Sequence, residues 1–531
     1  MVRAILRSDG WRVRKSVLVE AMGQDAYLKL RKTFKMSTRL PVVNKIKTMT
    51  LVGTERSRTS KGEPCANLVV PRFMGAMWIK LGHIRPCRLT LPEGIAVEFS
   101  VFSASLRHEQ QVVLDYLLSE IYTDENEAIG AAGAICEMQA GYGKTYLAMG
   151  VIRSLGCKTL VVVPNSVLLN QWMEALSGVF PNNTVGQYSS RAKQDGDVVV
   201  MVINSVLTDE FTFKQGRGRG AVKTQYEWRE YLDQFGLVIW DEVHMYCTTQ
   251  RVEALRRASS RYSLGITAEA NNRPDKFDRA AHSWVGPVIV CDKLEGFDDG
   301  SDPIHFTAHV ERVGYLGPDE FTQRIINPST EMVQASAMTK QFLQDPWRTA
   351  SIITDAHRLY EAGHNVFIFG DSRAFVKVIR DILVAEGTVV DAPEEGGVSQ
   401  NGVSALMGGM RGHEINTASS AQVLVCTFQF ACVGLSLPAF DAMILGTPRK
   451  AQTYQTVKRI FRLSGDPSIT RIIIDYVDER TPMKGQYSKR RQVYQSDEIS
   501  AEITKREMLW SDVALDDEKK TLYQKIIAKY V

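Results

Sequence analysis

The sequence contains no run of about eighteen apolar residues, which is the length that a membrane-spanning helix requires. Its N-terminus, MVRAILRSDGWRVRK, is basic and lacks the apolar stretch of a secretory signal peptide. None of the eight cysteines forms a CxxC pair, which argues against a zinc site. They stand in apolar segments such as GAICEM and VLVCTF, as buried thiols do in a reducing compartment. We therefore expect a soluble intracellular protein with no membrane partner.

The chain as a whole has a formal net charge of only +4, but its charged residues are unevenly distributed. Residues 1–100 contain 19 Lys and Arg against 7 Asp and Glu, an excess of +12, so the remainder carries −8. Such a basic module is typical of proteins that contact a polyanion, although a solvated surface has the same composition. Its candidate contacts with duplex DNA are Arg31, Lys32, Lys35, Arg39, Lys45, Lys47, Arg56, Arg58 and Lys61.

From about residue 101, short β-branched runs alternate with longer amphipathic stretches. TLVVVP, DVVVMVI, GLVIWDE and RYSLGIT are typical of buried parallel strands. The pattern fades over residues 300–335 and restarts at HNVFIFG, continuing to RIIIDYVD. The sequence thus predicts an α/β fold class with two α/β domains in tandem. The predicted boundaries are a basic N-terminal DNA-binding domain (1–100), a first α/β domain (101–300), a linker (301–335), a second α/β domain (336–495) and a short C-terminal helical appendage (496–531).

The segment MQAGYGKT has the Lys-Thr ending of a phosphate-binding loop, although Met138 stands where the usual pattern has its first glycine. It lies between the strand-like GAICEM and a helix-like stretch, where backbone N–H groups at the helix N-terminus can bind an anion. Gly141 and Gly143 would let the backbone close around the phosphates. Lys144 would neutralise the β- and γ-phosphates, and the Thr145 hydroxyl would bind Mg²⁺. ATP and Mg²⁺ are therefore the predicted cofactors.

The segment VIWDEVH places two carboxylates after an apolar strand, 97 residues beyond Lys144. Asp241 would hold Mg²⁺ through water, and Glu242 would act as general base on the attacking water. Acidic residues also follow strands at sheet edges for no catalytic reason, but the combination with a phosphate loop favours an ATPase. Small-molecule kinases lack this Asp-Glu pair, and the N-K-x-D motif of a GTPase is not found.

These motifs resemble those of the superfamily 2 helicases and translocases, and further segments match in order over roughly residues 101–490. LRHEQQ resembles the segment ahead of motif I in XPB-like enzymes, whose motif I has an apolar residue at the position of Met138. VVVPNSVLLNQW resembles motif Ia, VINSVL motif Ib/Ic, LGITAEA motif III, VLVCTFQFACVGLSLPAFDAMI motif V and QTVKRIFR motif VI. NNRPDKFDRAAHSWVGPVIV and LVVPRFMGAMWIKLG are similar to segments of the transcript-release helicases of poxviruses and other large DNA viruses, and bacteriophage and cellular XPB/UvsW-type translocases are alternatives.

The resemblance implies two RecA-like domains with ATP in the cleft, and it assigns further roles by position. Arg459 and Arg462 become arginine fingers, although their spacing also suits a solvated helix face. His244 and Thr267 become coupling residues between the nucleotide site and motif III. The implied nucleotide contacts are Arg107, Gln110, Gln139, Ala140, Gly141, Tyr142, Gly143, Lys144, Thr145 and Gly434. The implied DNA contacts, each of which also suits a turn or a helix cap, are Asn165, Asn204, Arg373 and Thr427.

Two positions depart from the family pattern: Glu269 replaces the last threonine of motif III, and Lys458 replaces the glycine of motif VI. Because both motif VI arginines remain, we expect an active ATPase. The predicted function is an ATP-dependent DNA helicase or translocase of a large DNA virus, acting on duplex or forked DNA in transcription, transcript release, repair or recombination. Its partners would be viral transcription or repair machinery, in the host cytoplasm or the virion. The alternatives are an RNA helicase and a non-catalytic nucleic-acid-binding scaffold.

Overall fold

The computed structural model of the chain divides into two compact units, Met1–Ser301 and Asp302–Val531. The structure describes residues 2–531 except for these gaps: 8–9, 34, 41–44, 59–63, 140, 191, 216–221, 271–274, 299–305, 330, 388–401, 409, 411–417, 419–420, 429–439, 449–455, 462–465, 467 and 497–498.

The first unit begins with a basic α/β module. Its elements are β1 (Val2–Arg7), β2 (Gly10–Arg14), α1 (Lys15–Met22), α2 (Gln24–Thr33), β3 (Lys35–Leu40), β4 (Lys45–Thr50), β5 (Gly53–Arg58), β6 (Pro64–Val70), α3 (Arg72–Lys80) and β7 (Ile84–Thr90). A five-stranded sheet has the order β5-β6-β2-β1-β7, in which only the β1–β7 pair is parallel. One face of this sheet forms a core that includes Leu6, Trp11, Val13, Leu68 and Trp78. The strands β3 and β4 form a separate antiparallel hairpin.

Arg72 joins this module to the α/β domain that follows it. The side chain is 1% exposed, and its guanidinium donates to carbonyls of that domain: Nε to Gly130 at 2.6 Å, Nη1 to Ser260 at 2.6 Å, and Nη2 to Arg261 at 2.6 Å and to Ala132 at 3.3 Å. Burial lowers the pKa of Arg72 to about 9. The module and the domain therefore share a hydrogen-bonded contact that is closed to water.

The β3–β4 hairpin makes a second junction of the same kind. Met36 and Met49 are buried in the same hydrophobic cluster as Phe211, Tyr231 and Trp240 of the α/β domain. Burying apolar surface stabilises a fold by about 25 cal/mol per Å². The two methionines of the hairpin therefore add to the stability of the neighbouring domain's core. The boundary predicted near residue 100 thus separates segments that pack together within one compact unit.

The first α/β domain continues to the end of the unit. Its elements are α4 (His108–Tyr116), α5 (Asp124–Ala128), β8 (Gly133–Glu137), α6 (Lys144–Leu155), β9 (Thr159–Val163), α7 (Ser166–Val179), β10 (Val185–Tyr188), β11 (Lys193–Gln194), β12 (Val198–Val202), β13 (Glu210–Gln215), β14 (Val222–Glu227), α8 (Trp228–Leu232), β15 (Leu237–Asp241), α9 (Val252–Arg257), β16 (Tyr262–Thr267), α10 (Arg279–Trp284) and β17 (Val288–Val290).

An eight-stranded sheet forms its centre in the order β11-β10-β12-β9-β15-β16-β8-β17, and all pairs except β10–β11 are parallel. Every residue of β9 and β15 is buried, because helices cover both faces of a parallel sheet. The four apolar runs predicted as parallel strands are confirmed as β9, β12, β15 and β16.

The second unit is a second α/β domain. Its elements are β18 (Ala308–Leu316), α11 (Asp319–Thr322), α12 (Ala335–Gln344), α13 (Pro346–Glu361), β19 (Val366–Gly370), α14 (Arg373–Ala385), β20 (Val403–Leu406), β21 (Val423–Thr427), β22 (Ala442–Leu445), β23 (Arg471–Asp478), α15 (Tyr487–Tyr494), β24 (Glu502–Leu509) and α16 (Asp517–Tyr530). Its seven-stranded sheet is parallel throughout, in the order β20-β21-β19-β22-β23-β18-β24. Both domains therefore have the predicted RecA-like α/β architecture.

The structure differs from the sequence prediction at both ends of this unit. Strand β18 lies inside the predicted linker 301–335 and pairs with both β23 and β24. Strand β24 lies inside the predicted helical appendage 496–531 and forms the edge of the sheet. The helix α16 packs on the domain core through Tyr523 and Ile527. Both segments are thus parts of the second domain. Among all helices of the described residues, none is long and apolar enough to cross a bilayer.

Candidate nucleotide-binding site

A glycine-rich loop connects β8 to α6 in the first domain. Gly141 and Gly143 have φ values of 95° and 71°, in the region that favours glycine. A Cβ atom on Gly143 would lie 2.1 Å from the Nε2 of Gln110, so a larger residue would displace that side chain. The loop therefore closes directly before Lys144, the first residue of α6. Thr145 follows on the same helix and is half-buried, whereas Ala140 lies outside the described residues.

Two residues from the start of α4 hold this loop in place. Gln110 Nε2 donates to the carbonyls of Tyr142 at 2.9 Å and Gly143 at 3.3 Å. The guanidinium of Arg107 donates to the carbonyl of Gly141 at 3.0 Å, and its backbone N–H donates to Gln110 Oε1 at 2.9 Å. The structure thus places these two predicted nucleotide contacts against the backbone of the phosphate loop, and their contact with the nucleotide stays a prediction.

The ammonium of Lys144 turns back toward the same loop. Its Nζ donates to the carbonyls of Met138 and Gln139, each at 3.2 Å. The ring of Tyr142 lies 5.7 Å from the ring of Phe297. The two hydrogen bonds of Lys144 hold its cationic group beside the loop whose backbone N–H groups would contact a phosphate.

Asp241 ends β15 and is 6% exposed. Its Oδ2 accepts a 2.8 Å hydrogen bond from Trp172 Nε1, and its backbone carbonyl accepts a 2.7 Å bond from the Tyr246 hydroxyl. Burial and the neighbouring Glu242 raise the pKa of Asp241, while Trp172 and Lys144 oppose that rise. The carboxylate is therefore oriented by an aromatic N–H and depends on nearby positive charge to remain ionised.

Glu242 has a backbone conformation that is rare for residues other than glycine, with φ 50° and ψ 50°. Its Oε2 is buried and has no hydrogen-bond partner in the described part of the chain. The Nδ1 of His244 lies 3.4 Å from it. A strained backbone that aims an unsatisfied carboxylate oxygen is typical of functional sites.

His244 also reaches the next strand of the sheet. Its Nδ1 lies 2.8 Å from the hydroxyl of Thr267, the last residue of β16. The same hydroxyl accepts a 3.1 Å bond from the backbone N–H of Glu269. Burial, followed by the charges of Glu242 and Glu137, raises the pKa of Glu269. The structure thus connects the residues after β15 to the end of β16, where the sequence predicts coupling.

The predicted DNA contacts fall on both units and have different surroundings. Asn165 caps α7, because its side-chain oxygen accepts hydrogen bonds from the backbone N–H groups of Val167 at 2.9 Å and Leu168 at 3.1 Å, in the first turn of the helix. Asn204 is exposed in the helical turn 203–207. Arg373 begins α14, is exposed, and donates to the carbonyl of Gly408. Thr427 ends β21 and is 8% exposed. Contacts of these residues with nucleic acid stay predictions.

In the second unit, Arg459 lies in the half-buried helical turn Lys458–Ile460. Its charge acts on Cys426 near the end of β21, whose thiol pKa is nevertheless raised by burial. The other predicted arginine finger, Arg462, and the predicted cleft residue Gly434 lie outside the described residues.

The oxygen donors of the first domain fit Mg²⁺. The Thr145 hydroxyl and the Asp241 carboxylate are hard ligands, and Mg²⁺ usually takes one or two protein ligands, with water and substrate phosphates completing its shell. No group of three or more His, Cys, Asp or Glu side chains is arranged for a metal ion in the described ranges. Such a small donor set is what a nucleotide-bound Mg²⁺ needs.

Sequence reasoning missed two of the aromatic residues that hold this site. Trp172 lies in VVVPNSVLLNQW, and Tyr246 follows DEVH, but neither was given a role. Trp172 is 69 residues from its partner Asp241, and the Tyr246 hydroxyl also donates to the carbonyl of Val162, 84 residues away. The order of β9 and β15 in the sheet brings them together, and a local motif cannot report this.

Part of the chain is similar to a known protein family, and most of it is similar to viral relatives. Residues 103–271 match the family model described as "Type III restriction enzyme, res subunit" (ResIII). A protein of African swine fever virus named "Putative ATP-dependent RNA helicase QP509L" is 25% identical over 462 residues, or 83% of this chain and 81% of the relative. The matched segment contains the phosphate loop and the Asp241–Glu242 pair, and the similarity to this relative, which is named as a helicase, extends over most of the chain.

Two further relatives carry similar names. "Putative ATP-dependent RNA helicase L396" of Acanthamoeba polyphaga mimivirus is 22% identical over 78% of this chain and 74% of its own length. "Putative DNA 3'-5' helicase Rad25" of Halobacterium salinarum is 30% identical over 165 residues, which cover 30% of this chain and 24% of the relative. Relatives of the helicase type from large DNA viruses thus resemble both units of the chain, whereas the archaeal similarity is local.

Proposed function

We propose that this chain is an ATP-dependent nucleic-acid motor, a helicase or translocase whose preferred track is DNA. The observation that carries the proposal is the geometry after β15. Asp241 is held by Trp172, and the strained Glu242 presents a buried oxygen without a hydrogen-bond partner among the described residues. A general base must keep such an oxygen available for the proton that it accepts.

Each residue of the first domain then has a defined part in hydrolysis. The phosphate loop binds the β- and γ-phosphates through backbone N–H groups, and Lys144 supplies a positive charge beside them. Mg²⁺, held by Thr145 and Asp241, would neutralise charge on the phosphate oxygens. Glu242 orients and deprotonates the attacking water. Arg459 and Arg462 of the second domain stabilise the charge that develops in the transition state.

The hydrogen bonds around His244 provide a route from hydrolysis to movement. His244 contacts Thr267, and Thr267 holds the backbone of Glu269, so a shift of Glu242 can reach the motif III segment. Closure of two RecA-like domains around ATP and their reopening after hydrolysis would advance the protein along one strand.

DNA is the proposed track because LRHEQQ resembles a segment of XPB-like enzymes, because the extended segment after motif III favours duplex DNA, and because the archaeal relative is named as a DNA helicase. RNA is the second candidate, since the African swine fever virus and mimivirus relatives are named as RNA helicases. A role in viral transcript release, transcription, repair or recombination, in the host cytoplasm or the virion, follows from the same resemblance. Viral transcription or repair proteins would then be its partners.

The test is the ATPase rate with duplex DNA, forked DNA, single-stranded DNA and RNA, measured on the wild type and on Glu242→Gln. We expect stimulation strongest with DNA, and a Glu242→Gln variant that binds ATP but hydrolyses it about 10²–10⁴-fold more slowly, because an amide cannot accept the proton. Glu174→Gln is the matched control, since Glu174 is exposed on α7. Stimulation only by RNA would favour the second candidate. A wild type without ATPase activity would favour a non-catalytic scaffold.

A further inference from the structure

The outward face of the N-terminal five-stranded sheet carries a cluster of arginines. Along β1, Ala4 and Leu6 are buried in the module core, whereas Arg3, Ile5 and Arg7 are exposed. This alternation follows from the period of two in a strand, which directs successive side chains to opposite faces. The exposed set therefore lies on the face of the sheet opposite the core.

Neighbouring strands extend the cluster. In the parallel pair β1–β7, Arg3 is opposite Arg85 and Ile5 is opposite Arg88, and both residues of β7 are exposed. On β2, Arg14 is exposed and alternates with the buried Val13, which places it on the same face. We call these five residues the arginine face: Arg3, Arg7, Arg14, Arg85 and Arg88.

Among the residues of this module that the structure describes, none neutralises the arginine face. The nearby Glu55 is bound to another arginine, Arg12, at 2.7 Å. The described residues supply no ion pair to any of the five members. Arg3 and Arg85 are opposite each other on neighbouring strands, and like charges in such positions are expected to destabilise a sheet. A partner with many negative charges would remove that cost.

We propose that the arginine face binds the phosphate backbone of nucleic acid. This inference deepens the proposed function and rests on it. All five cations are arginines, although the first 100 residues also contain eight lysines. A planar guanidinium can form two parallel hydrogen bonds to one phosphate, whereas an ammonium acts as a point charge. A set composed only of arginine therefore suits phosphate recognition better than general solubility.

Several basic residues that the sequence predicts as DNA contacts lie outside the arginine face. Several predicted contacts lie on the β3–β4 hairpin, whose Met36 and Met49 pack into the core of the α/β domain. Others lie on α2, where Arg31 and Lys32 are exposed on a separate element. The arginine face spans three adjacent strands, β2, β1 and β7, so it offers several cations to a single backbone at once.

The buried contacts of Arg72 give the arginine face a fixed place within the first unit. The carbonyls that Arg72 binds stand just before β8 and β16, and these strands lead to the phosphate loop and to Thr267. A nucleic acid held on the arginine face would consequently be held by a surface rigidly attached to the ATP-binding domain.

Two triple variants of the full chain test the proposal. The first is Arg3→Gln/Arg85→Gln/Arg88→Gln. The matched control is Lys29→Gln/Lys80→Gln/Lys193→Gln, which removes the same charge from exposed positions of the first unit that are not predicted DNA contacts. Affinities for duplex DNA and for single-stranded RNA of equal length are measured as a function of salt. The unfolding midpoint of each variant shows that the module remains folded.

For the arginine-face variant, the slope of log affinity against log salt should become shallower by about 2–3 with duplex DNA, because each phosphate contact contributes about −0.9. Binding at low salt should weaken by on the order of tenfold or more, with the control variant near the wild type. Equal losses in both variants would overturn the proposal in favour of non-specific attraction. Competition by polyglutamate as strong as that by nucleic acid would overturn it in favour of an acidic protein partner.

Measurements on the wild type distinguish a failure of this inference from a failure of the proposed function. If the wild type neither binds nor is stimulated by any nucleic acid, the motor assignment itself fails. If the wild type binds and is stimulated but the arginine-face variant keeps the wild-type salt slope, only the arginine face is refuted. The comparison of DNA with RNA then shows which backbone the surface prefers.

Discussion

Replacing Arg72 with methionine should destabilise the whole first unit. Methionine keeps most of the apolar stem but removes the donors to Gly130, Ala132, Ser260 and Arg261. Hydrogen bonds from a charged donor contribute about 1.5–3 kcal/mol each, so the four carbonyls together lose on the order of 6–12 kcal/mol. The variant also avoids the cost of burying a guanidinium.

That cost can be judged from the pKa of Arg72, which burial lowers from 12.5 to about 9. Each pKa unit corresponds to about 1.4 kcal/mol, so burial of the charge costs roughly 5 kcal/mol. The difference leaves a net loss of about 4 kcal/mol for Arg72→Met, within a range of about 1–7 kcal/mol. This is a large fraction of the 5–15 kcal/mol, roughly, that stabilises an ordinary domain.

The assay is denaturant unfolding of the full chain, followed by tryptophan fluorescence. Trp11 is a suitable reporter, since its Nε1 donates to the carbonyl of Arg72 at 3.1 Å. Arg72→Lys should recover only part of the loss, because an ammonium has three donors at a single point. Arg85→Met is the matched control at an exposed arginine of the same module. An Arg72→Met midpoint equal to that of the control would refute the reasoning.

Two other predictions concern single hydrogen-bonded groups. Trp172→Phe removes the donor to Asp241, a bond worth about 1.5–3 kcal/mol, so about tenfold more Mg²⁺ should be needed for half-maximal ATPase activity. Burial raises the pKa of Asp345 from 3.8 to about 6, so the folded chain binds the proton more tightly than the unfolded chain does. Stability of the second unit should therefore fall by about 3 kcal/mol as pH rises from about 4 to 6. Asp345→Asn, which can still cap α13, should remove that slope in urea unfolding curves.

Each of these predictions has a control in the chain. Trp228→Phe changes a tryptophan of α8 and should leave the Mg²⁺ requirement unchanged. Asp319→Asn changes a carboxylate whose side chain is 98% exposed, and should keep the slope between pH 4 and 6. An unchanged Mg²⁺ requirement in Trp172→Phe would mean that the tryptophan does not orient Asp241. A slope that persists in Asp345→Asn would assign the titration to another buried carboxylate.

The parts of the fold that could be predicted from sequence are those with a strong local signal. β9 and β15 are continuous apolar runs, because both faces of the sheet are covered. β18 and β24 read AHVERVGYL and EITKREML, in which charged residues alternate with apolar ones. They lie at and next to the sheet edge, where part of each strand remains accessible. Their pattern therefore resembles that of a solvated connection.

The residues of the candidate site likewise include some that a local motif predicts and some that only the fold reveals. Lys144, Thr145, Asp241 and Glu242 stand in short motifs, and the chemistry of each motif can be read without a structure. Trp172 could not be found in this way, since its role depends on which strands are neighbours in the sheet. Asn165 offered both a capping and a DNA-binding interpretation, and the structure shows the cap.

The contacts of Arg72 with the α/β domain determine which variants can test the basic N-terminal segment. A chain shortened to begin near Phe102 would keep every ATPase motif, and in sequence terms it looks like a clean test of the +12 excess. The shortened chain would, however, leave the carbonyls of Gly130 and Ser260 without the guanidinium that binds them. It would also remove hairpin residues from the core of the α/β domain. Weaker nucleic-acid binding by that chain could then reflect a damaged ATP-binding domain. Arg→Gln substitutions on the arginine face avoid this ambiguity because those side chains are exposed.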